Sequence, residues 1–211
     1  NKMGLISNGT TIFDAGAMSA GFGGSMTFIK KLTASGSATL SFVHGSGGVD
    51  FSTYKEYLFT YNNIHPADNA GENFQFNMSI DSGSNYNITK TSTLHRALHG
   101  EDGSSGGLVY YDGTDPDTLD LAQSTAFQTL LSGINDNNDD SASGILTVFD
   151  PASTTFVKHY NSQSQYSHET PRSMTFFTAG YANTTSAVNA IQFKMNSGNV
   201  DAGDICMYGI A

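Results

Sequence analysis

The sequence lacks tryptophan and has a single cysteine among its 211 residues. With only Cys206 present, no intrachain disulfide can form. Cys206 alternates with Met207 in an apolar run and reads as a small buried hydrophobe. Without tryptophan, any aromatic stacking must come from the 10 tyrosines and 14 phenylalanines. Charge is also scarce: Asp, Glu, Lys and Arg make up 13% of the chain, about half the usual share. The surface must therefore be covered by Ser, Thr, Asn and Gly. Cations are the scarcer sign, 9 Lys and Arg against 19 Asp and Glu, for a net charge of −10. The one basic cluster is the Lys30-Lys31 pair. Nucleic-acid binding needs a positive footprint and is disfavoured, and an anionic membrane surface would repel the chain. No run approaches the roughly 18 apolar residues of a membrane span. The first residues carry no long apolar stretch, so no signal peptide is expected.

What is present is a strand grammar. Phe74, Phe76, Met78 and Ile80 alternate with Gln75, Asn77 and Ser79, and Ala38, Leu40 and Phe42 repeat the pattern. Residues 57–61 are rich in aromatics and read as a central strand, which Pro66 should end because it removes a ladder donor. Further strands are expected at 26–32, 86–89, 93–98, 108–111, 144–149, 155–160 and 173–181. Ile191, Phe193 and Met195 alternate with polar residues. After a turn at Asn196-Ser197-Gly198-Asn199 a second apolar run ends the chain, and the two read as a closing hairpin. Residues 119–131 offer the one candidate helix. About a dozen short strands and no fixed repeat predict an all-β, jelly-roll-like antiparallel β-sandwich over residues 26–211. Residues 1–25, with glycines at 4, 9, 16, 21, 23 and 24, read either as an N-terminal arm that docks on a partner or as a first hairpin with a Gly-rich loop.

Chemical motifs are weak. Gly103-Ser104-Ser105-Gly106-Gly107 matches G-x-S-x-G, but a nucleophile elbow needs a strand before the serine and a helix after it. His95 and His99 are four apart, yet Arg96 stands where a zincin has Glu and no third ligand can be assigned. Asp136, Asn138 and Asp140 imitate the start of a calcium loop, but Ser141 and Thr147 hold the places of its Gly and Glu. That loop and the acidic run of Asp112, Asp115, Asp117 and Asp120 read either as solvated loops or as holders of a hard cation. Asn8, Asn77, Asn87 and Asn183 begin N-x-S/T, which matters only in a eukaryotic secretory context. The expectation is a protein that is not an enzyme, with no catalytic, cofactor-binding or metal residue and no cofactor.

Several stretches carry a resemblance. They are Lys30-Lys31-Leu32-Thr33-Ala34-Ser35-Gly36-Ser37-Ala38-Thr39-Leu40-Ser41-Phe42, Tyr54-Lys55-Glu56-Tyr57-Leu58-Phe59 with Asn62-Asn63-Ile64-His65-Pro66-Ala67, and Asn85-Tyr86-Asn87-Ile88-Thr89-Lys90. The most distinctive is Ala190-Ile191-Gln192-Phe193-Lys194 with Ser197-Gly198-Asn199-Val200-Asp201-Ala202-Gly203 and Tyr208-Gly209-Ile210. Together they resemble a virion structural-protein domain of tailed phages of marine and freshwater bacteria, of cyanophage and pelagiphage type, over residues 28–210. The resemblance implies a virion location as a capsid decoration, head-fibre or tail-fibre component that acts by assembly. Its partners would be other virion proteins and further copies of the chain as a homo-oligomer. The alternative is a host-glycan or receptor-binding module of a fibre, with residues 112–120 and the 160–166 loop as candidate sites. The family brings no catalytic residues.

Overall fold

The computed structural model describes residues 5–8, 10–14, 17–18, 25–67, 71–110 and 119–211. Near the N-terminus, β1 (Leu5–Ser7), β2 (Thr10–Asp14) and β3 (Ala17–Met18) pair with one another in a small antiparallel sheet. Whether residues 1–25 dock on a partner is not a property of this sheet, and most of that stretch lies outside the described residues.

All other strands belong to one antiparallel system that folds over on itself. In chain order they are β4 (Met26–Thr33), β5 (Leu40–Val43), β6 (Glu56–Pro66), β7 (Glu72–Ser79), β8 (Lys90–Gly100) and β9 (Gly106–Tyr110). There follow β10 (Gln128–Ile134), β11 (Ala142–Phe149), β12 (Lys158–His168), β13 (Arg172–Ala182), β14 (Ala190–Met195) and β15 (Val200–Ile210). Eight of them form a large sheet in the order β4-β15-β6-β11-β12-β13-β8-β9. Four form a smaller one, β10-β7-β14-β5. The two meet at a corner where Ile134 of β10 bridges His168, the last residue of β12. This is an all-β, jelly-roll-like antiparallel sandwich, as the alternation of the sequence predicts.

Parity explains the packing. In β12 the even positions from Lys158 to Tyr166 are buried and His159, Asn161, Gln163 and Gln165 are exposed. Between the sheets lies an aromatic cluster centred on Phe193 of the small sheet. Its ring stacks on Phe74 at 5.8 Å and 13°, and packs against Phe59 of the large sheet at 5.7 Å. Burying a ring of this size contributes about 2 kcal/mol, so a cluster of several stands in for the missing disulfides. Tyr61 joins this core with its hydroxyl satisfied by Ser162 (3.1 Å) and Ser164 (2.5 Å), and burial pushes its pKa up to about 12. β6 ends at Pro66, as its missing N–H requires.

Several expectations are overturned. The closing hairpin does not exist: β14 pairs with β5 and β7 in the small sheet, whereas β15 pairs with β4 and β6 in the large one. The Asn196–Asn199 turn carries the chain across the sandwich. It is held there by Asn196 N–H donating to Asn73 O (2.9 Å) and Ser197 N–H donating to Glu72 Oε2 (3.2 Å). No helix occurs among the described residues, so the helix expected at 119–131 is absent. The backbone of this stretch is claimed instead by β8. Ser92 N–H donates to Leu121 O, and Lys90 and Ser124 exchange both of their backbone hydrogen bonds. Residues 128–134 then become a strand of the small sheet. Residues 86–89 are a loop, not a strand. The strand expected at 155–160 starts at Lys158 and runs on to His168. Cys206 is half-buried on the outward face of β15, because Ile205 and Met207 take the inward positions.

Candidate functional site

The outward face of the large sheet, across β11, β12, β13 and β8, is built from three cross-strand rows. The register places Ile145, Gln163, Phe177 and His95 side by side on successive strands. Two residues further along each strand, Thr147, Asn161, Ala179 and Thr93 form the next row. Two further on, His159, Tyr181 and Thr91 form the third, with Phe149 at the end of β11 beside them. Large residues therefore flank a row of small ones. The result is two adjoining hollows of about 330 and 380 Å³ that share Thr93, Asn161 and Ala179. Along β13 the walls at Phe177 and Tyr181 stand about 13 Å apart, four residues at 3.3 Å each.

The walls are ordered. His95 and Phe177 lie face to face with centroids 4.9 Å apart and planes 13° apart. His159 leans on Tyr181 at 6.2 Å and 60°. The Tyr181 hydroxyl accepts from Gln123 Nε2 (3.3 Å), and Gln123 also donates to Thr91 Oγ1 (2.6 Å). Further along, Gln165 donates to Ser173 Oγ (2.8 Å) and accepts from Thr175 Oγ1. The side-chain amides of Asn161 and Gln163, in contrast, make no hydrogen bond to a described residue.

Charge is distributed by parity. The strands β8, β9, β11, β12 and β13 carry four charged residues: Lys90, Arg96, Lys158 and Arg172. All four sit at inward-parity positions, so the outward face of these strands has no Asp, Glu, Lys or Arg. Lys158 is buried with its ammonium donating to the carbonyls of Ser153 (2.6 Å), Phe156 (2.8 Å) and Thr184 (3.1 Å). Burial lowers its pKa, while Asp150 opposes the shift. The lysine thereby pins the 150–157 loop at one end of the hollow face.

The residues singled out from sequence fall elsewhere or play other roles. Ser105 lies in the β8–β9 turn, where Gly100 N–H donates to Ser105 O (2.7 Å), and a strand follows it instead of a helix. His95 and His99 share the outward face of β8, but on a strand residues four apart are about 13 Å apart and cannot grip one ion. Among the described residues no group of three or more His, Cys, Asp or Glu is placed to hold a metal. Asp140 is used internally, accepting from Asn135 Nδ2 (2.6 Å) and Asn137 Nδ2 (3.2 Å). Asp112, Asp115 and Asp117 lie outside the described residues. Asn77, one of the N-x-S/T asparagines, is fully buried and donates to Tyr86 O (2.7 Å) and Thr125 O (3.0 Å). The 160–166 stretch is not a loop but the middle of β12. Tyr160 and Tyr166 point into the core, and it is the intervening Asn161 and Gln163 that line the hollows, with Gln165 further along the same outward face. Sequence reading missed His95, Phe177, Ala179 and Tyr181 as a group because His95 lies on β8 and the other three on β13, and nothing local shows that these two strands are neighbours. The detectable signal is the alternation of β13, in which 173, 175, 177, 179 and 181 are all uncharged.

No family model matches the chain, and no curated protein matches it. One solved structure to which it is similar is the crystal structure of alginate lyase vAL-1 from Chlorella virus. The two are 10% identical over 99% of this chain and 86% of that one, with a TM-score of 0.29. A likeness at that score carries no argument about this chain.

Proposed function

We propose that this protein is a surface component of a phage particle whose hollow sheet face binds a host glycan. The virion half rests on the resemblance of residues 28–210 to structural domains of tailed phages. The binding half is supported by one observation: the two joined hollows are walled by paired aromatic rings and bordered by the unengaged amides of Asn161 and Gln163. A concave site with apolar walls and a few polar groups is the usual form of a small-ligand cleft. The test is retention of the purified protein on immobilised host-envelope polysaccharide, with and without the same polysaccharide free in solution as competitor. Retention that the free polysaccharide abolishes is the expected result. Retention that it leaves intact, or no retention at all, overturns the binding half.

A second reading, assembly alone, is favoured by the opposite edge of the same sheet. There Met26 and Phe28 of β4 are half-exposed, 52% and 56%, and Phe28 packs edge-on against Tyr208 at 5.7 Å. A strand edge that no described strand pairs, carrying apolar residues, is a natural joint between copies. Solution mass by light scattering of the wild type and of Phe28→Lys tests it: the wild type should be an oligomer that the charge disrupts. A monomeric wild type removes this reading.

A further inference from the structure

Resting on the glycan-binding reading above, we propose that the hollow face takes an uncharged polysaccharide, with a sugar ring seated over Ala179 between the Phe177–His95 pair and the Tyr181–His159 pair. A pyranose presents apolar C–H faces and a rim of hydroxyls, so its site needs flat rings beside it and neutral donors and acceptors around it. The small Ala179 leaves a slot between the two aromatic walls, and the slot crosses the strands because the small residues share one cross-strand row. Asn161 and Gln163 border it with amides that no described residue engages. Each amide offers two N–H donors and a carbonyl acceptor, enough to read neighbouring hydroxyls.

The ligand class follows from charge. The protein carries a net charge of −10, and the face holds no lysine or arginine to offset it. A uronate or sulfated polymer would approach against the field of the whole molecule and find no counter-charge on arrival. A neutral polymer meets neither cost. A second copy of the chain would bring its own charge of −10 to the same place. The sequence supports the neutrality as a feature of the face and not of these strands, since Lys90, Arg96, Lys158 and Arg172 occupy the same strands at inward positions.

Affinity electrophoresis of the full chain through gels holding a neutral polymer (amylose, laminarin, mannan or galactan) or an anionic one (alginate or polygalacturonate) tests the proposal. Wild type, Ala179→Trp, Phe177→Ala and Asn161→Ala are compared, each first checked for an unchanged melting temperature. All three positions face outward, so a variant that melts early is set aside and the other two decide. The expected result is retardation by at least one neutral polymer and by neither anionic one, with affinity reduced about tenfold or more in Ala179→Trp and Phe177→Ala, the effect of a central anchor. Binding to an anionic polymer alone overturns the ligand class but keeps the glycan reading. Neutral binding that Ala179→Trp leaves intact places the site elsewhere and overturns the proposal. No binding to any polymer, together with no retention on host polysaccharide, overturns both. A wild-type dimer that Ala179→Trp dissociates identifies the face as a joint between copies and overturns both as well.

Discussion

Lys90 donates from its ammonium to Asn77 Oδ1 over 2.6 Å, and both side chains are completely buried. The same ammonium donates to Ile88 O at 2.7 Å, and no carboxylate is bonded to it among the described residues. Asn77 in turn holds Tyr86 O and Thr125 O, so one buried cation organises two loops that cross the start of β8. Neutral oxygens compensate poorly for lost hydration, and burial lowers the Lys90 pKa from 10.5 to about 7.

The pH dependence follows from that shift. Between pH 7 and 10.5 the unfolded chain holds a proton on Lys90 that the folded chain has released. Stability therefore rises with pH across this window and is flat with respect to this group below it. At about 1.4 kcal/mol per pKa unit, the whole window is worth several kcal/mol. Lys90→Met should remove this part of the slope. Urea midpoints of wild type and variant, measured from pH 7 to 10, give the difference; parallel curves would show that Lys90 titrates normally in the fold.

Gly180 and Ala179 are neighbours on opposite faces of β13 and should respond oppositely to added bulk. A Cβ on Gly180 would meet Thr91 O at 2.5 Å and Tyr160 Oη at 2.7 Å. Thr91 O is backbone and cannot swing aside. Gly180→Val should cost about 1–3 kcal/mol or more as an overpacked site. Ala179→Val, facing the hollow, should stay within about 0.5 kcal/mol of wild type. Denaturant midpoints with unchanged m-values check both, and a tolerated Gly180→Val would refute the close approach of Tyr160.

Removing residues 1–24 should leave the sandwich intact. β1, β2 and β3 pair with one another and not with the twelve-stranded system. Ser25 must be kept, because its carbonyl accepts Ala211 N–H at 3.0 Å and helps hold the C-terminus. The far-UV spectrum and melting temperature should be unchanged. A fall of more than about 4 °C, roughly 1 kcal/mol or more for a chain of this size, would show that the N-terminal segment packs on the core. If the segment is an anchor, the truncated chain should fold yet fail to join particles.

The sequence by itself determines the class of this fold and the direction of most of its side chains. Strand parity is local: Phe74, Phe76 and Met78 must face one way and Gln75 and Asn77 the other, whatever the partner. Pro66 ends its strand because a missing N–H is a property of the residue. The absence of charge from alternate positions of β13 is equally legible. Tertiary structure alone decides partnership. Ile191 to Met195 and Ile205 to Ile210 read as one hairpin because they are separated by a short Gly/Asn turn, yet each finds better-matched neighbours in a different sheet. Residues 119–131 have apolar spacing that suits a loose helix, yet β8 and β7 supply the hydrogen bonds that a helix would have made internally. The candidate site shows the same division. That Asn161, Gln163, Phe177 and Tyr181 point outward follows from alternation. That they meet in rows with His95, and that Ala179 leaves a slot between them, depends on the register of four strands, which is set by non-local pairing.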